Sequence, residues 1–400
     1  MYHATTKRYF LSSSPLLSSP SSETHHIRMI QFRSLLFAKV LLRNPRALSF
    51  RQADTFRYAT HLIANLRDVL KSKLPIQIVY LGDSGLPLEY RESLIQLGKN
   101  IEALNIQSMV SESILNQENP GWAIKPFALL FTKFEQTILV DADAIFLQKP
   151  EAIFNKHKGY RATGTLLLHD RLVGKGDYEF CHQWLNHQMR HHKPSGTRLK
   201  SIMLNNGYGH EAESGVVVLD KGRLGALSAL LHTCWQNSSQ VRELHTYKHI
   251  HGDKETYWLG LELTEVPYVF AEHHAAALGV EVGEKGVCGS HQGHLDEKGK
   301  LIWFNGSLLK NKVGSLRHFM IADRLMIDGN WHWDTTADHT SCMEEGNTTP
   351  LDHKERDILE KSRHVAMKLD EKFSRLINLS PEISETDATN NESSPTQPTR

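Results

Sequence analysis

The chain has 400 residues, with 46 basic and 45 acidic side chains and a net charge of +1. No bulk electrostatic pull toward nucleic acid or an anionic membrane is therefore expected. With 40% apolar residues, 23% charged, seven Trp and fifteen Phe, there is ample material for a large core in one or two domains.

Residues 1–22 contain Lys7, Arg8 and many serines, with no acid before Glu23. They lack the compact apolar stretch and cleavage pattern of a secretory signal, and residues 1–53 read as a poorly ordered segment. The apolar run Leu35 to Leu42 is interrupted by Lys39 and falls short of the roughly 20 apolar residues of a spanning helix, so no membrane anchor is read. From Phe56, the apolar positions Ala59, Leu62, Ile63, Leu66, Val69 and Leu70 recur at helical spacing up to Pro75. Ile76 to Leu81 predicts a strand, and Glu89 to Leu97 a helix. Trp122 to Lys133 predicts a helix feeding the strand Thr137 to Val140. Thr165 to Leu168 and Val216 to Leu219 read as apolar strands, and Glu179 to Arg190 and Arg223 to Trp235 as amphipathic helices. Short apolar strands alternating with helices predict an α/β fold whose central sheet is mainly parallel and flanked by helices. Leu295 to Lys300 reads as a hairpin turn, and His353 to Leu376 as a helix in a C-terminal extension, residues 336–378. From Ser380 onward the chain is Ser, Thr, Asn, Glu and Pro without an aromatic residue, a tail too polar to bury its own ordering cost.

Cys181, Cys234, Cys288 and Cys342 have no C-x-x-C spacing, which excludes zinc-ribbon and thioredoxin-like readings and leaves room for two disulfides. Sequons stand at Asn237, Asn305, Asn347, Asn378 and Asn391, a pattern that fits a lumenal or secreted chain. The 24 histidines are scattered, so few of them can be chemical. The chain lacks the P-loop, H-E-x-x-H, G-x-S-x-G and G-x-G-x-x-G motifs, which argues against P-loop NTPases, zincins, α/β-hydrolases and Rossmann dehydrogenases.

The sharpest local feature is Ile138-Leu139-Val140-Asp141-Ala142-Asp143-Ala144-Ile145-Phe146, two carboxylates inside an apolar run. In an extended chain the period of two puts Asp141 and Asp143 on one side, where both can face a single Mg²⁺ or Mn²⁺. Such a cation can stabilise charge on a diphosphate leaving group. A D-x-D also fits a strand that ends in a polar turn, but the end of an apolar strand is where α/β sheets bind ligands. Glu211 to Gly215 reads as a loop before a strand. There Glu213 could accept sugar hydroxyls and Gly215 could allow close backbone approach, although a solvated acidic turn is the favoured reading. His251 to Trp258 reads as a polar loop entering a helix with Asp253 as N-cap. Asp253 could orient a sugar, and Lys254 could touch phosphate. His294, beyond the Cys288 to His291 stretch, is an imidazole of the kind manganese sites use.

Taken in order, Phe56-Arg57-Tyr58-Ala59-Thr60-His61-Leu62, Trp122-Ala123-Ile124-Lys125-Pro126-Phe127, Leu139-Val140-Asp141-Ala142-Asp143, Asp170-Arg171, Glu213-Ser214-Gly215-Val216, Gly252-Asp253-Lys254-Glu255 and Trp303-Phe304-Asn305-Gly306 resemble the fungal α-1,3-mannosyltransferase family, Golgi enzymes with a GT-A type fold. The resemblance covers about residues 54–333, close to the catalytic domain of residues 54–335 that it implies. It implies retaining transfer of mannose from GDP-mannose to a mannose hydroxyl of N- or O-linked glycoprotein glycans, assisted by Mn²⁺ or Mg²⁺, on the lumenal side of the Golgi and alongside other Golgi mannosyltransferases. Carried over, Asp141 and Asp143 become metal and nucleotide-ribose contacts, and His294 the third metal ligand. Lys125 lies near the donor, Asp170 and Arg171 line its sugar pocket, and Glu213, Ser214, Gly215, Asp253 and Lys254 surround donor sugar and acceptor, with Asp253 and Glu213 as the catalytic candidates. Two departures stand out: no anchor is read, and Asn44 to Asp54, where the family places an apolar strand and a glycine loop that hold the nucleotide base, makes a poor strand, so impaired donor binding is expected. A UDP-sugar transferase and a non-catalytic glycan-binding paralogue are the alternatives.

Overall fold

The computed structural model describes residues 33–38, 52–116, 121–312, 318–333 and 341–377. A six-stranded sheet forms from β1 (Arg33–Ala38), β2 (Ile76–Tyr80), β3 (Ile101–Asn105), β4 (Gln136–Val140), β6 (Thr165–His169) and β7 (Ala212–Asp220) in the order β3-β2-β1-β4-β7-β6. The four strands from β3 to β4 run parallel, and β7 runs antiparallel to both β4 and β6.

The start of that apolar run, Leu35 to Ala38, thus lies in β1, the strand between β2 and β4, with Leu35 in register with Ile76 on one side and Ile138 on the other. This corrects two expectations. The first strand of the sheet is supplied upstream of Asn44, and the Phe56 helix already begins at Gln52, spanning Gln52–Ala64. Residues 44–51 and the tail beyond 377 lie outside the described residues.

Alternation along the strands feeds two cores. Ile76, Ile78, Ile138, Val140, Val216 and Val218 pack with the Gln52–Ala64 and His353–Lys372 helices. Val79, Leu139, Val217 and Leu219 pack with the Ile124–Phe131, Leu224–Gln236 and Lys254–Leu263 helices. A sheet buried on both faces needs apolar side chains at both parities, which is why these strands are nearly continuous in Val, Ile and Leu.

A second sheet gathers β5 (Ala144–Phe146), β8 (Ala276–Glu281), β9 (Val287–Leu295), β10 (Leu301–Asn305), β11 (Arg324–Ile327), β12 (Asn330–Trp333), β13 (Ser341–Glu344) and β14 (Asn347–Pro350). Of this sheet the sequence predicts only the β9–β10 hairpin turn, which closes with Asp296 N–H on the Lys300 carbonyl at 2.8 Å. Residues beyond 335 supply β13 and β14 to it, and the helix that follows packs on Gln52–Ala64 through a buried network. Arg57 Nε and His61 Nε2 lie 2.9 and 2.8 Å from Asp370 Oδ1.

One disulfide, Cys288–Cys342, ties β9 to β13, while Cys181 and Cys234 are buried and free. Of the described sequons, Asn237 is fully buried and Asn305 donates to Glu213, whereas Asn347 is exposed. Among the described residues no helix is long and apolar enough to cross a membrane.

Candidate functional site

Beyond the carboxyl ends of β4 and β6 opens a cavity of about 250 Å³. The parallel strands deliver residues that follow their ends, Asp141 and Asp143 after β4 and Arg171 after β6. The antiparallel β7 delivers its beginning, Glu213 and Ser214. These two residues belong to a nine-residue, wholly buried strand, which corrects the solvated turn expected there. Asp141 and Asp143 are not extended either. Ala144 N–H bonds the Asp141 carbonyl at 3.1 Å, closing a tight turn, and Asp141 N–H is held by the Gly215 carbonyl at 2.8 Å. The turn still aims both carboxylates into the cavity.

At the centre lies Lys125, on the Ile124–Phe131 helix. Its Nζ is 3.3 Å from Asp141 Oδ2 and 3.3 Å from Asp253 Oδ2, and it donates to Ser214 Oγ at 2.8 Å and to the Ser214 carbonyl at 3.0 Å. Burial alone would lower this ammonium's pKa, but Asp141, Asp253 and Glu213 outweigh it and hold the group above its ordinary range. Asp253 is 1% exposed. It sits at the N-cap position of the Lys254–Leu263 helix without a capping hydrogen bond. Its carboxylate instead accepts from Ser214 Oγ at 3.1 Å and Tyr257 OH at 3.0 Å. Capping is overridden because a buried charge gains more from a cation and two hydroxyls than from one neutral backbone N–H.

A second ion cluster joins Asp170 to Lys254, with Arg171 Nε at 3.6 Å. Burial would raise the Asp170 carboxyl, but Lys254 and Arg171 hold it far below the usual range. Burial raises Asp141 to about 7, with Lys125 opposing and Asp143 reinforcing. Glu213 is also raised, by burial and then by Asp170. Its Oε1 accepts from Gly215 N–H at 2.7 Å and Asn305 Nδ2 at 3.0 Å. A Cβ on Gly215 would stand 2.7 Å from Glu213 Oε1 and 3.0 Å from Trp303, so the close approach this glycine permits is to neighbouring side chains.

His294 does not join the aspartate pair. On the β9–β10 hairpin Gln292 pairs with Asn305 and His294 pairs with Trp303. The first pair lines the cavity, and the second lies one step along, where His294 stacks on Trp303 at 4.4 Å and is fully buried. Burial lowers its pKa to about 3, and among the described residues no three His, Cys, Asp or Glu side chains form a metal-holding group. The cavity wall nonetheless offers unpartnered buried oxygens, Asp141 Oδ1, Gln292 Oε1 and Asn305 Oδ1. Hard oxygens left without donors fit Mn²⁺ or Mg²⁺.

Sequence reasoning missed Gln292, Lys312, which pairs with Asp143, and Tyr58, Trp122 and His251 on the cavity wall. Nothing marks a lone Gln or Lys as a site residue; only the fold brings Lys312 to Asp143 and Gln292 to the same cavity wall.

Four cations and four carboxylates thus line a cavity at the sheet edge where α/β proteins bind ligands, with Asp170 paired to Lys254 beside it. The family profile described as "Mannosyltransferase putative" matches residues 48–296, and the chain belongs to this mannosyltransferase family. It is 31% identical to "Putative alpha-1,3-mannosyltransferase MNN15" of Candida albicans over 46% of this chain and 26% of that protein. With alpha-1,3-mannosyltransferase MNT2 of Saccharomyces cerevisiae it shares 25% identity over 60% of this chain and 47% of that one. The chain therefore spans between about a quarter and a half of the length of these relatives. Superposition on mouse xyloside xylosyltransferase 1 gives a TM-score of 0.36 at 12% identity, over 60% of this chain and 83% of that one.

Proposed function

We propose that this cavity binds GDP-mannose and transfers its mannose to a mannose hydroxyl of a glycoprotein glycan, forming an α-1,3 linkage with retention. The observation that carries the reading is the Lys125 centre, a fully buried ammonium shared by Asp141 and Asp253 at the mouth of the sheet. Lys125, Arg171, Lys254 and Lys312 supply positive charge for a diphosphate, and Asp143 with Glu213 supplies acceptors for ribose and sugar hydroxyls. Asp141 and Asp143, with the free oxygens of Gln292 and Asn305, would hold Mn²⁺ or Mg²⁺, which supplies Lewis-acid stabilisation of the diphosphate. Asp253 is engaged at both oxygens, which suits it to fix Lys125 rather than to attack the sugar. In this reading the acceptor oxygen bonds the anomeric carbon as the bond to the diphosphate breaks. The acceptor's proton passes to the departing phosphate oxygen. The Cys288–Cys342 disulfide supports an oxidising, lumenal compartment such as the Golgi.

The test is Mn²⁺-dependent transfer to α-mannobiose with GDP-mannose, UDP-glucose and UDP-galactose as donors. Turnover of GDP-mannose alone, lost in Asp141→Ala/Asp143→Ala, is expected. Turnover of a UDP-sugar instead would move the donor assignment, and silence from folded protein would leave a glycan-binding paralogue.

A further inference from the structure

A second cavity, of about 400 Å³, lies among the Glu179–Gln188, Leu224–Gln236 and Lys254–Leu263 helices and the Arg242–Thr246 turn. It shares no lining residue with the first cavity. Among the described residues its wall contains no Asp, Glu, Lys or Arg; it is built from Trp184, Trp235, three glutamines, and His, Thr, Val and Leu side chains.

Trp235 is 58% exposed, a large apolar ring left in water. Trp184 is half-buried and braced by His249, stacked at 5.2 Å. On the floor Gln236 is 2% exposed. Its Nε2 meets His232 Nδ1 at 2.8 Å and its Oε1 has no partner. Leaving a buried amide oxygen unbonded costs about 1–3 kcal/mol, so this floor residue still lacks a donor. Burial, and then His192, lowers the His232 pKa, which favours the neutral imidazole at that position.

A wall without Lys or Arg gives little purchase to phosphate or nucleotide, and a purely hydrocarbon ligand would leave the glutamine amides unpaired. Two indoles flanked by planar amides match a ligand with C–H faces and many hydroxyls. We infer that this cavity is a second, non-catalytic binding site for a neutral hexose oligosaccharide, which would tether a glycan beside the transfer site. The choice of a mannose probe rests on the mannosyltransferase reading; the site itself does not.

The test titrates the full chain, without donor, with α-mannotriose and with maltotriose by calorimetry. At least one trisaccharide is expected to bind Asp141→Ala/Asp143→Ala as it binds the unmodified protein. Trp235→Ala should weaken it about tenfold or more, with an unchanged melting temperature, and Gln240→Ala, also on the exposed wall, should weaken it too. Binding of neither sugar, or binding indifferent to both wall substitutions, would overturn the inference. The donor assay on the same protein reads the transferase proposal separately, so either can fail alone.

Discussion

Replacing Lys125 with Met removes the ammonium that Asp141 and Asp253 share and leaves the two carboxylates without their common cation. Breaking one partner out of a buried ion network costs about 3–5 kcal/mol, and removing a preorganised cation lowers kcat by about a hundredfold to a thousandfold. Denaturant melts and transfer assays on Lys125→Met check both. Gly215→Ala is a gentler probe. Its methyl would strike Glu213 Oε1 at 2.7 Å, so transfer should fall while the melting temperature drops only slightly, as measured on the same sample. Asp141 and Asp143 are legible in the sequence because a carboxylate pair inside an apolar run has no cheap structural explanation. Gln292, Asn305 and Lys312 gain their meaning from long-range packing that brings them to the wall of the aspartate cavity.

At the scale of elements, the His353–Lys372 helix starts with a capping box. Asp352 Oδ1 accepts Glu355 N–H at 2.9 Å, and Glu355 Oε2 accepts Asp352 N–H at 2.8 Å. Asp352→Ala should cost about 1 kcal/mol, read as a shift in denaturation midpoint. The same helix carries Asp370, whose burial would raise its pKa but whose contacts with His61 and Arg57 lower it below the ordinary 3.8. A lowered folded-state pKa makes the carboxylate stabilising above pH 3.8, with that stability lost as pH falls through the lower folded value. Acid titration should therefore show a steeper loss below about pH 4 in the unmodified chain than in Asp370→Asn, and equal slopes would refute the pairing's role. The apolar strands and amphipathic helices were readable from period alone. The first strand is not legible as one, because its apolar run continues past Ala38 to Leu42 without a turn residue, and only the apolar half of β7 is, because Glu213 and Ser214 are polar residues buried by hydrogen bonds rather than by apolar packing.

At the largest scale, the described residues form two sheets joined where the chain passes from β4 through Asp143 into β5, which pairs with β10 in the second. That junction is why Asn305, at the end of β10, reaches Glu213. The Cys288–Cys342 bond closes 54 residues of chain, and loop entropy puts its contribution at about 4 kcal/mol. Cys288→Ser/Cys342→Ser should lower thermal stability by that order, and reductant should have no further effect on the variant.

By itself the sequence determined the α/β class, the order of its main helices and strands, the aspartate pair, and the family. These depend on periodicity and local chemistry that the chain writes in consecutive residues. The tertiary structure alone decided that Asp253 turns from its helix end to Lys125, that His294 stacks on Trp303 and does not line the cavity, and that Gln292 and Asn305 complete the wall. Those outcomes depend on which side chains strands distant in sequence bring together, and on the cost of leaving a buried charge or amide without a partner.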